Sequence, residues 1–571
     1  METTEKKLNK RERYKAQKKP IEYYKEFDTI DFESLNEADR FYLQDFGIFN
    51  VEHLEDEFTI RIRNSGGQMS SDHFKQIGLL AKEYALQPII TARGGIQFHG
   101  ITSENVHKIH KKVNDIGVTT WQSFGDNVRN IVCDIYDGVG KYAHIEVYPI
   151  VMQIHNLIIH NPKYVGMLPR RLGVAISGNS ANVTSLFAND IVFLLAKKGE
   201  DLGFNVYLGG KNTDVAKSAD LFLYEDEVFS FFKAFAEAFY DHGSRYTRSR
   251  TRVFHLIEDI GMQALKDLIS PYYGKEYRSE GVLVLEQAKF EEFHPLKDGT
   301  YAYCYQTYFS KLSPDEMTQI AEFVEHNNLS LRIGMDQKIY ILGLKEKSAP
   351  FSSKAISQTV TACAGNLCPY AVWSIKDETA YLPLDRINTH QIHVGFSGCA
   401  KGCGRHKHVD IGLIGLKTNN FGDVEGGARV FIGSLHTYGL SESRQLFSMV
   451  PFPHLHDAIS MVIDLFELSG YSIFEEFSQN VINRYSEDFV SLWVLANLES
   501  QKRAKFIEQN SSPDQETQLK LLRDEFGDLD FWEHLEGEDL YPAISYLSKK
   551  LWTIEGADPT YKPPIERTVF R

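Results

Sequence analysis

The sequence predicts an α+β protein built around an internal duplication. Residues 69–101 and 312–344 align without a gap at an offset of 243 positions: Asp72 matches Asp315, Gln76 matches Gln319, Ile77 matches Ile320 and Gly100 matches Gly343. Each copy carries apolar residues at helical spacing, Phe74, Ile77, Leu80, Ala81 and Tyr84 in one and Met317, Ile320, Phe323 and Val324 in the other, followed by a strand-like segment. A β-rich run precedes each helix, EFTIRIR at 57–63 and TYAYCYQTYF at 300–309. Each copy therefore reads as strand–helix–strand, and Ser313-Pro-Asp-Glu316 supplies a capping box with proline at the first helical position.

In chain order, residues 1–44 read as an N-terminal arm. Residues 45–149 form a first half-domain that pairs with a second at 291–350. Mixed α/β segments occupy 150–290 and 351–490. A charged tail, 491–571, is helical in pattern through SQKRAKFIEQ and ETQLKLLRDEF. A chain of 571 residues needs several domains or an interleaved assembly, and 43% apolar residues exclude a disordered protein. No apolar run of about 18 residues is present, so no membrane span is expected. METTEKKLNKRERYKAQKK lacks an apolar stretch, and a cytoplasmic location is expected.

The net charge of −15 argues against nucleic-acid binding. Residues 6–19 are a local exception with eight Lys/Arg. They read as a solvated arm or frayed helix or, more sharply, as a docking arm for an acidic electron carrier.

The two copies differ where chemistry could sit. Arg93 faces Asp336, Gln97 faces Tyr340 and His99 faces Leu342. Arg, Gln and His on alternating strand positions suit anion or cofactor contacts, although a purely structural repeat drifts in the same way.

Four of the six cysteines fall within 41 residues, as Cys363-x4-Cys368 and Cys399-x3-Cys403. A reducing compartment disfavours disulfides there, so metal binding is the better reading. Zinc and a [4Fe–4S] cluster both take four thiolates at such spacing. Gly398, Gly402 and Gly404 favour the cluster, since they let the backbone wrap a bulky inorganic core. Cys133 and Cys304 read as buried structural thiols. His406 and His408, beside Arg405 and Lys407, read as solvated or phosphate-contacting residues. Gly138-x-Gly140-x-x-Ala143 fits a dinucleotide fingerprint, but no acidic residue follows about twenty positions on, so a tight turn is the reading.

These residues resemble the sirohaem-containing nitrite and sulfite reductases, over about 45–490. The resemblance rests on the two cysteine pairs and on motifs in the family's order. These are Arg93-Gly-Gly-Ile-Gln97-Phe-His99-Gly, Asp126-Asn-Val-Arg129-Asn, Leu168-Pro-Arg170-Arg171, Ala188-Asn189-Asp190, Gly203-Phe-Asn205 with Gly209-Gly210, and Arg248-x3-Arg252. It implies duplicated ferredoxin-like half-domains plus two mixed α/β domains that bind sirohaem and cluster, related by pseudo-twofold symmetry. It implies a [4Fe–4S] cluster on Cys363, Cys368, Cys399 and Cys403, with the Cys403 thiolate shared with sirohaem. Arg93, Arg129 and Arg171 become catalytic candidates on the opposite, substrate side. Gln97, His99, Arg170, Asn205 and Arg252 become candidates for the sirohaem carboxylates.

Three features depart from the family pattern, the first being Arg171, which stands where the family usually has lysine. Gly173 stands where sulfite reductases have lysine and nitrite reductases asparagine, and the first cysteine pair is one residue shorter than the usual C-x5-C. The resemblance implies six-electron reduction of a small oxyanion by an external donor, a ferredoxin or a flavoprotein. Sulfite is the first expectation and nitrite the alternative. A precorrin-3B synthase-like oxygenase and a zinc-stabilised binding module are the remaining readings.

Overall fold

The two repeat copies meet through their helices. In the computed structural model, which describes residues 7–52, 54–182, 185–351, 359–368, 370–371, 381–418 and 425–553, the helices Ser71–Glu83 and Pro314–His326 pack directly on one another. Their apolar faces share one core containing Phe74, Ile77, Ala81, Met317, Ile320 and Val324. Gly78 allows the close crossing, because a Cβ there would lie 2.9 Å from the Met317 Cβ. Lys82–Asp315 (2.8 Å) and Lys75–Glu322 (3.0 Å) flank the contact.

Each helix covers its own antiparallel sheet. The first runs Ile48–Val51, Leu54–Ile62, Ile96–Ile101, Ile89–Ile90; the second runs Phe293–Pro295, Tyr301–Tyr305, Ile339–Leu344, Ser330–Ile333 and then Gln68–Met69. The copies exchange an edge. Arg332 pairs with Gln68, and Ile89 pairs with Lys311. The 243-residue offset carries Gln68 to Lys311 and Ile89 to Arg332, so each pairing is the pseudo-twofold image of the other. Where the first copy carries Arg93 and Gln97, the second has closed on itself: Asp336 binds Lys338 (3.0 Å) and the Tyr340 hydroxyl (2.5 Å), all buried.

The chain divides into two compact units, and the repeat lies in the first, with the described residues through Phe351 and Thr437–Gly439. The mixed sheet of that unit has the order Lys217–Leu223, Asp201–Leu208, Ile191–Lys198, Val174–Ser177, Val132–Cys133. Its last three strands are parallel. Helices Tyr148–Ile158, Val228–His242 and Met262–Tyr273 cover it with a Phe-rich core that includes Phe231, Phe232, Phe235 and Phe239. The 138–143 segment is a turn, with Gly140 N–H donating to Tyr136 O at 2.7 Å.

The basic N-terminal segment is a capped helix with exposed cations such as Lys10 and Arg13, but it is not wholly solvated. Asn9 caps the helix Lys10–Gln17. Arg11 lies 4.7 Å from the centre of the Phe41 ring. Lys15 is buried, with its Nζ on Glu12 (2.8 Å), Leu168 O (2.6 Å) and Asp126 (3.0 Å). The charge run conceals one internal cation among exposed ones. Breaking a buried pair strands its partner, so Lys15→Met is expected to cost about 3 kcal/mol or more, read as a lower urea midpoint at unchanged slope.

The second unit centres on the sheet Val360–Ala362, Val394–Ser397, Ile411–Thr418, Glu425–Ile432, Arg444–Pro451. Its first three strands are parallel. Helices Phe452–Ser469, Glu487–Ser500 and Tyr541–Trp552 pack with it. Gln515–Phe526 is helical as expected; SQKRAKFIEQ is not. The helix stops at Gln501 (φ 53°), and Ala504 is held by side chains of the preceding helix: Asn497 accepts from its N–H (2.7 Å), and Trp493 donates to its carbonyl (2.9 Å). Phe506 is thereby buried against Trp493, Phe489 and Tyr485. Residues 554–571 lie outside the described ones. No described helix is long and apolar enough to cross a membrane.

Candidate active site

Parallel strands explain why the arginine motifs meet. Arg129 precedes Val132–Cys133, Arg171 and Gly173 precede Val174–Ser177, and Asn189 and Asp190 precede Ile191–Lys198. Backbone bonds tie these loops side by side, Arg129 N–H to Leu172 O (2.8 Å) and Ile191 N–H to Gly173 O (3.1 Å). Motifs scattered along the sequence thus converge at the amino ends of three adjacent strands.

Arg129 is the centre of this cluster. Its Nη1 donates to Ser123 O (2.7 Å), while its Nε is buried without a hydrogen bond. Burial pushes its guanidinium well below the usual value, and the nearby charges of Arg171, Arg61 and Arg93 push in the same direction. Burial and Arg248 also push Arg170 down, to about 9. Arg93 Nη1 donates to Asn189 Oδ1 at 2.5 Å. Gly173 makes room for that contact: a Cβ there would stand 2.9 Å from Arg93 Nη2 and 3.0 Å from Asn189 Oδ1. The glycine that departs from the family pattern therefore lets a guanidinium occupy that volume. Gly173→Ala is expected to displace Arg93 and lower kcat/KM about 10- to 100-fold with the fold intact, as circular dichroism and steady-state kinetics would show.

Two buried aspartates hold the cluster from behind. Arg248 clamps Asp126 through both oxygens (2.8 and 2.7 Å). Burial alone would raise the Asp126 carboxyl, but Lys15 and Arg248 hold it well below the usual carboxylate range. Asp190 accepts from Gly173 N–H (2.7 Å) and from Arg252 Nη2 at both oxygens (2.7 Å each). The charges of Arg171, Arg61 and Arg93 bear on Arg129, and those of Arg248 and Arg171 on Arg170, a concentration of positive charge that suits a polyanion such as the eight-carboxylate ring of sirohaem and a small anionic substrate.

The other carboxylate candidates are differently placed. Gln97 Oε1 accepts from Arg61 (3.0 and 2.8 Å), and its Nε2 pairs with His99 Nε2 (2.9 Å), whose Nδ1 meets Thr59 (3.0 Å). Asn205 uses both ends of its amide on Gly281 (2.8 Å each). Arg252 serves Asp190 and Gly210 O (3.2 Å). Asn205 and Arg252 are thus engaged in holding backbone and aspartate.

Sequence reading passed over Arg61 and Arg63. Arg61 stacks 3.8 Å from the centre of the Phe124 ring. Buried Arg63 donates to Val128 O and Arg129 O (2.9 Å each) and fixes the Arg129 loop. Their signal was two arginines at alternate positions of the otherwise apolar EFTIRIR strand.

In the second unit, parallel pairing again does the gathering. Val360–Ala362 and Val394–Ser397 run side by side, so the loops that follow them, with Cys363/Cys368 and Cys399/Cys403, leave from the same edge. All four thiols are free. Burial pushes Cys363 up to about 12, and Cys403 adds to it; Cys368 and Cys399 are raised by burial and also feel Cys403. Cys403 is the common neighbour and the exposed member. The Cys363 Sγ accepts N–H groups from Gly398 (3.1 Å) and Gly365 (3.3 Å). Such amides stabilise a thiolate ligand, so the shortened C-x4-C loop still presents a suitable sulfur. Among the described residues, the ligand atoms of His393, Asp410 and His436 lie within 4.8 Å of one another. His406 and His408 are buried, not solvated. His406 meets Ser397 Oγ at 3.0 Å, and burial pushes it down to about 3.

The family described as "Nitrite and sulphite reductase 4Fe-4S domain" matches residues 124–277, and "Nitrite/Sulfite reductase ferredoxin-like half domain" matches 52–116. The chain is 25% identical over 499 residues to the ferredoxin–nitrite reductase of Synechococcus elongatus, covering 81% of this chain and 97% of that protein. It is 24% identical over 503 residues to the assimilatory ferredoxin-dependent nitrite reductase of Haloferax mediterranei, covering 77% and 85%. The structure of the Mycobacterium tuberculosis NirA protein shares the fold, with a TM-score of 0.75 at 22% identity, covering 85% of this chain and 97% of that one. The chain is an oxidoreductase and belongs to the nitrite and sulfite reductase family, whose cofactors are sirohaem and a [4Fe–4S] cluster.

Proposed function

We propose that this enzyme reduces nitrite to ammonium with electrons from a ferredoxin. The sequence alone put sulfite first; what favours nitrite is that the similar proteins from Synechococcus elongatus and Haloferax mediterranei are named ferredoxin-dependent nitrite reductases, over 81% and 77% of the chain. Gly173 carries neither the lysine of sulfite reductases nor the asparagine of nitrite reductases and does not choose between the anions; Arg93 lies in the space beside it.

When bound, sirohaem and the cluster supply the iron that ligates the anion and the route by which electrons arrive. The chain's own groups do the rest. Arg93 and Arg129 bind the anion through charge-assisted hydrogen bonds and balance charge as oxygen leaves. Arg171 adds positive charge. Arg63 and Asp126 position the Arg129 loop, and Arg61 positions Gln97 and, through it, His99. Cys363, Cys368, Cys399 and Cys403 would hold the cluster, and Cys403 is the exposed member of the four. The test is kcat/KM for nitrite against sulfite on purified holoenzyme with reduced methyl viologen as donor. Nitrite is expected to be the better substrate; a preference for sulfite overturns the assignment.

A further inference from the structure

The amino edge of the sheet in the second unit carries a cluster that the reductase chemistry does not use. His393 immediately precedes Val394–Ser397, Asp410 immediately precedes Ile411–Thr418, and His436 follows Glu425–Ile432. Val394 pairs with Ile411 in parallel, and Ile411 with Ile432 antiparallel, so the three residues meet at one edge. The cysteine loops leave from the other edge, a strand length of roughly 13 Å away. Glu475, on the helix Phe474–Asn480, closes the group.

The distances are those of a coordination shell waiting to contract. The ligand atoms of His393, Asp410 and His436 lie within 4.8 Å of one another. His393 Nδ1 is 3.3 Å from Asp410 Oδ2. His436 Nδ1 is 3.8 Å from Asp410 Oδ1 and 3.9 Å from Glu475 Oε2. The last two separations are too long for hydrogen bonds. They sit a few tenths of an ångström beyond the roughly 3.4 Å edge of a tetrahedral site with bonds of about 2.1 Å.

Burial makes the arrangement costly without a cation. Asp410, His436 and Glu475 are 1%, 3% and 4% exposed. Asp410 Oδ1 and His436 Nδ1 are buried without a hydrogen bond. A carboxylate oxygen and an imidazole nitrogen left in so dry a place, 3.8 Å apart, suit a cation between them. The other Asp410 oxygen is already oriented by His393 N–H (2.8 Å), and the partly exposed His393 offers a way in from solvent.

We propose that His393, Asp410 and His436, joined by Glu475, form a second metal site for a borderline divalent cation, zinc first, which pins the strand edge opposite the cluster. Two imidazoles with carboxylate oxygens suit zinc or ferrous iron, not magnesium or calcium.

The test is metal content and coordination in the full-length holoenzyme. After dialysis against a weak chelator and addition of zinc chloride, mass spectrometry of metals is expected to find one zinc per chain beside the cofactor iron. Zinc-edge X-ray absorption is expected to show a shell of nitrogen and oxygen at about 2.0–2.1 Å. Iron in one-equivalent excess over the cofactors, lost in the same variants, would identify ferrous iron as the native ion of the same site. Asp410→Asn and His436→Gln are each expected to lose that equivalent while keeping cluster and sirohaem absorption. Failure of the wild-type enzyme to retain zinc or excess iron overturns the proposal, as does a sulfur shell at about 2.3 Å, which would place the ion on the cysteines. The absorption measurement is made on the wild-type protein, so the answer does not depend on either variant folding.

Discussion

Arg129→Gln is expected to lower kcat/KM for the anion about 100- to 1,000-fold, the range seen when one preorganised donor to developing negative charge is removed. The same change is expected to leave thermal stability unchanged or raised. Arg129 is buried, its Nε lacks a hydrogen bond, and Arg171, Arg61 and Arg93 all oppose its charge. Removing such a charge relieves repulsion in the free enzyme, so activity and stability move apart. A merely structural arginine would lose both together. Parallel measurement of kcat/KM and Tm separates the two accounts.

Cys403→Ser is expected to abolish the reaction with either anion. Cys403 is the exposed member of the four thiols and the neighbour that the other three share. A hydroxyl is a poor substitute for thiolate at iron, so the cluster signal in electron paramagnetic resonance is expected to disappear or change type, with the sirohaem bands shifted or lost. Cys133→Ser, at a buried thiol of the first unit whose Sγ lies 3.3 Å from Gly66 O, is expected to keep both cofactor signals.

Much of this arrangement was legible in the chain. The 243-residue repeat exposed the duplicated halves, because a helix and its flanking strands impose periods that survive sequence drift. The edge exchange was not legible, since Gln68 and Lys311 carry no side-chain signal for pairing across copies. The cysteine pairs announced a cluster, and the arginine motifs announced an anion site. Their convergence came from parallel strand order, a long-range property that local patterns do not encode. Lys15 was misread because charge runs are usually solvated, and only the partners Glu12 and Asp126 reveal a buried lysine. His393 and His436 are 43 residues apart and meet only through the sheet, so no local spacing marks them as a pair.

The most direct test of the central claim is an electron count. Anaerobic holoenzyme is supplied with nitrite and with reduced ferredoxin as the sole donor, and ammonium is measured against ferredoxin oxidised. Six ferredoxins oxidised per ammonium formed, with Arg129→Gln turning over about 100-fold or more slowly at the same cofactor content, is the predicted result. Nitrite-independent oxidation of ferredoxin, or holoenzyme that forms no ammonium, would contradict it.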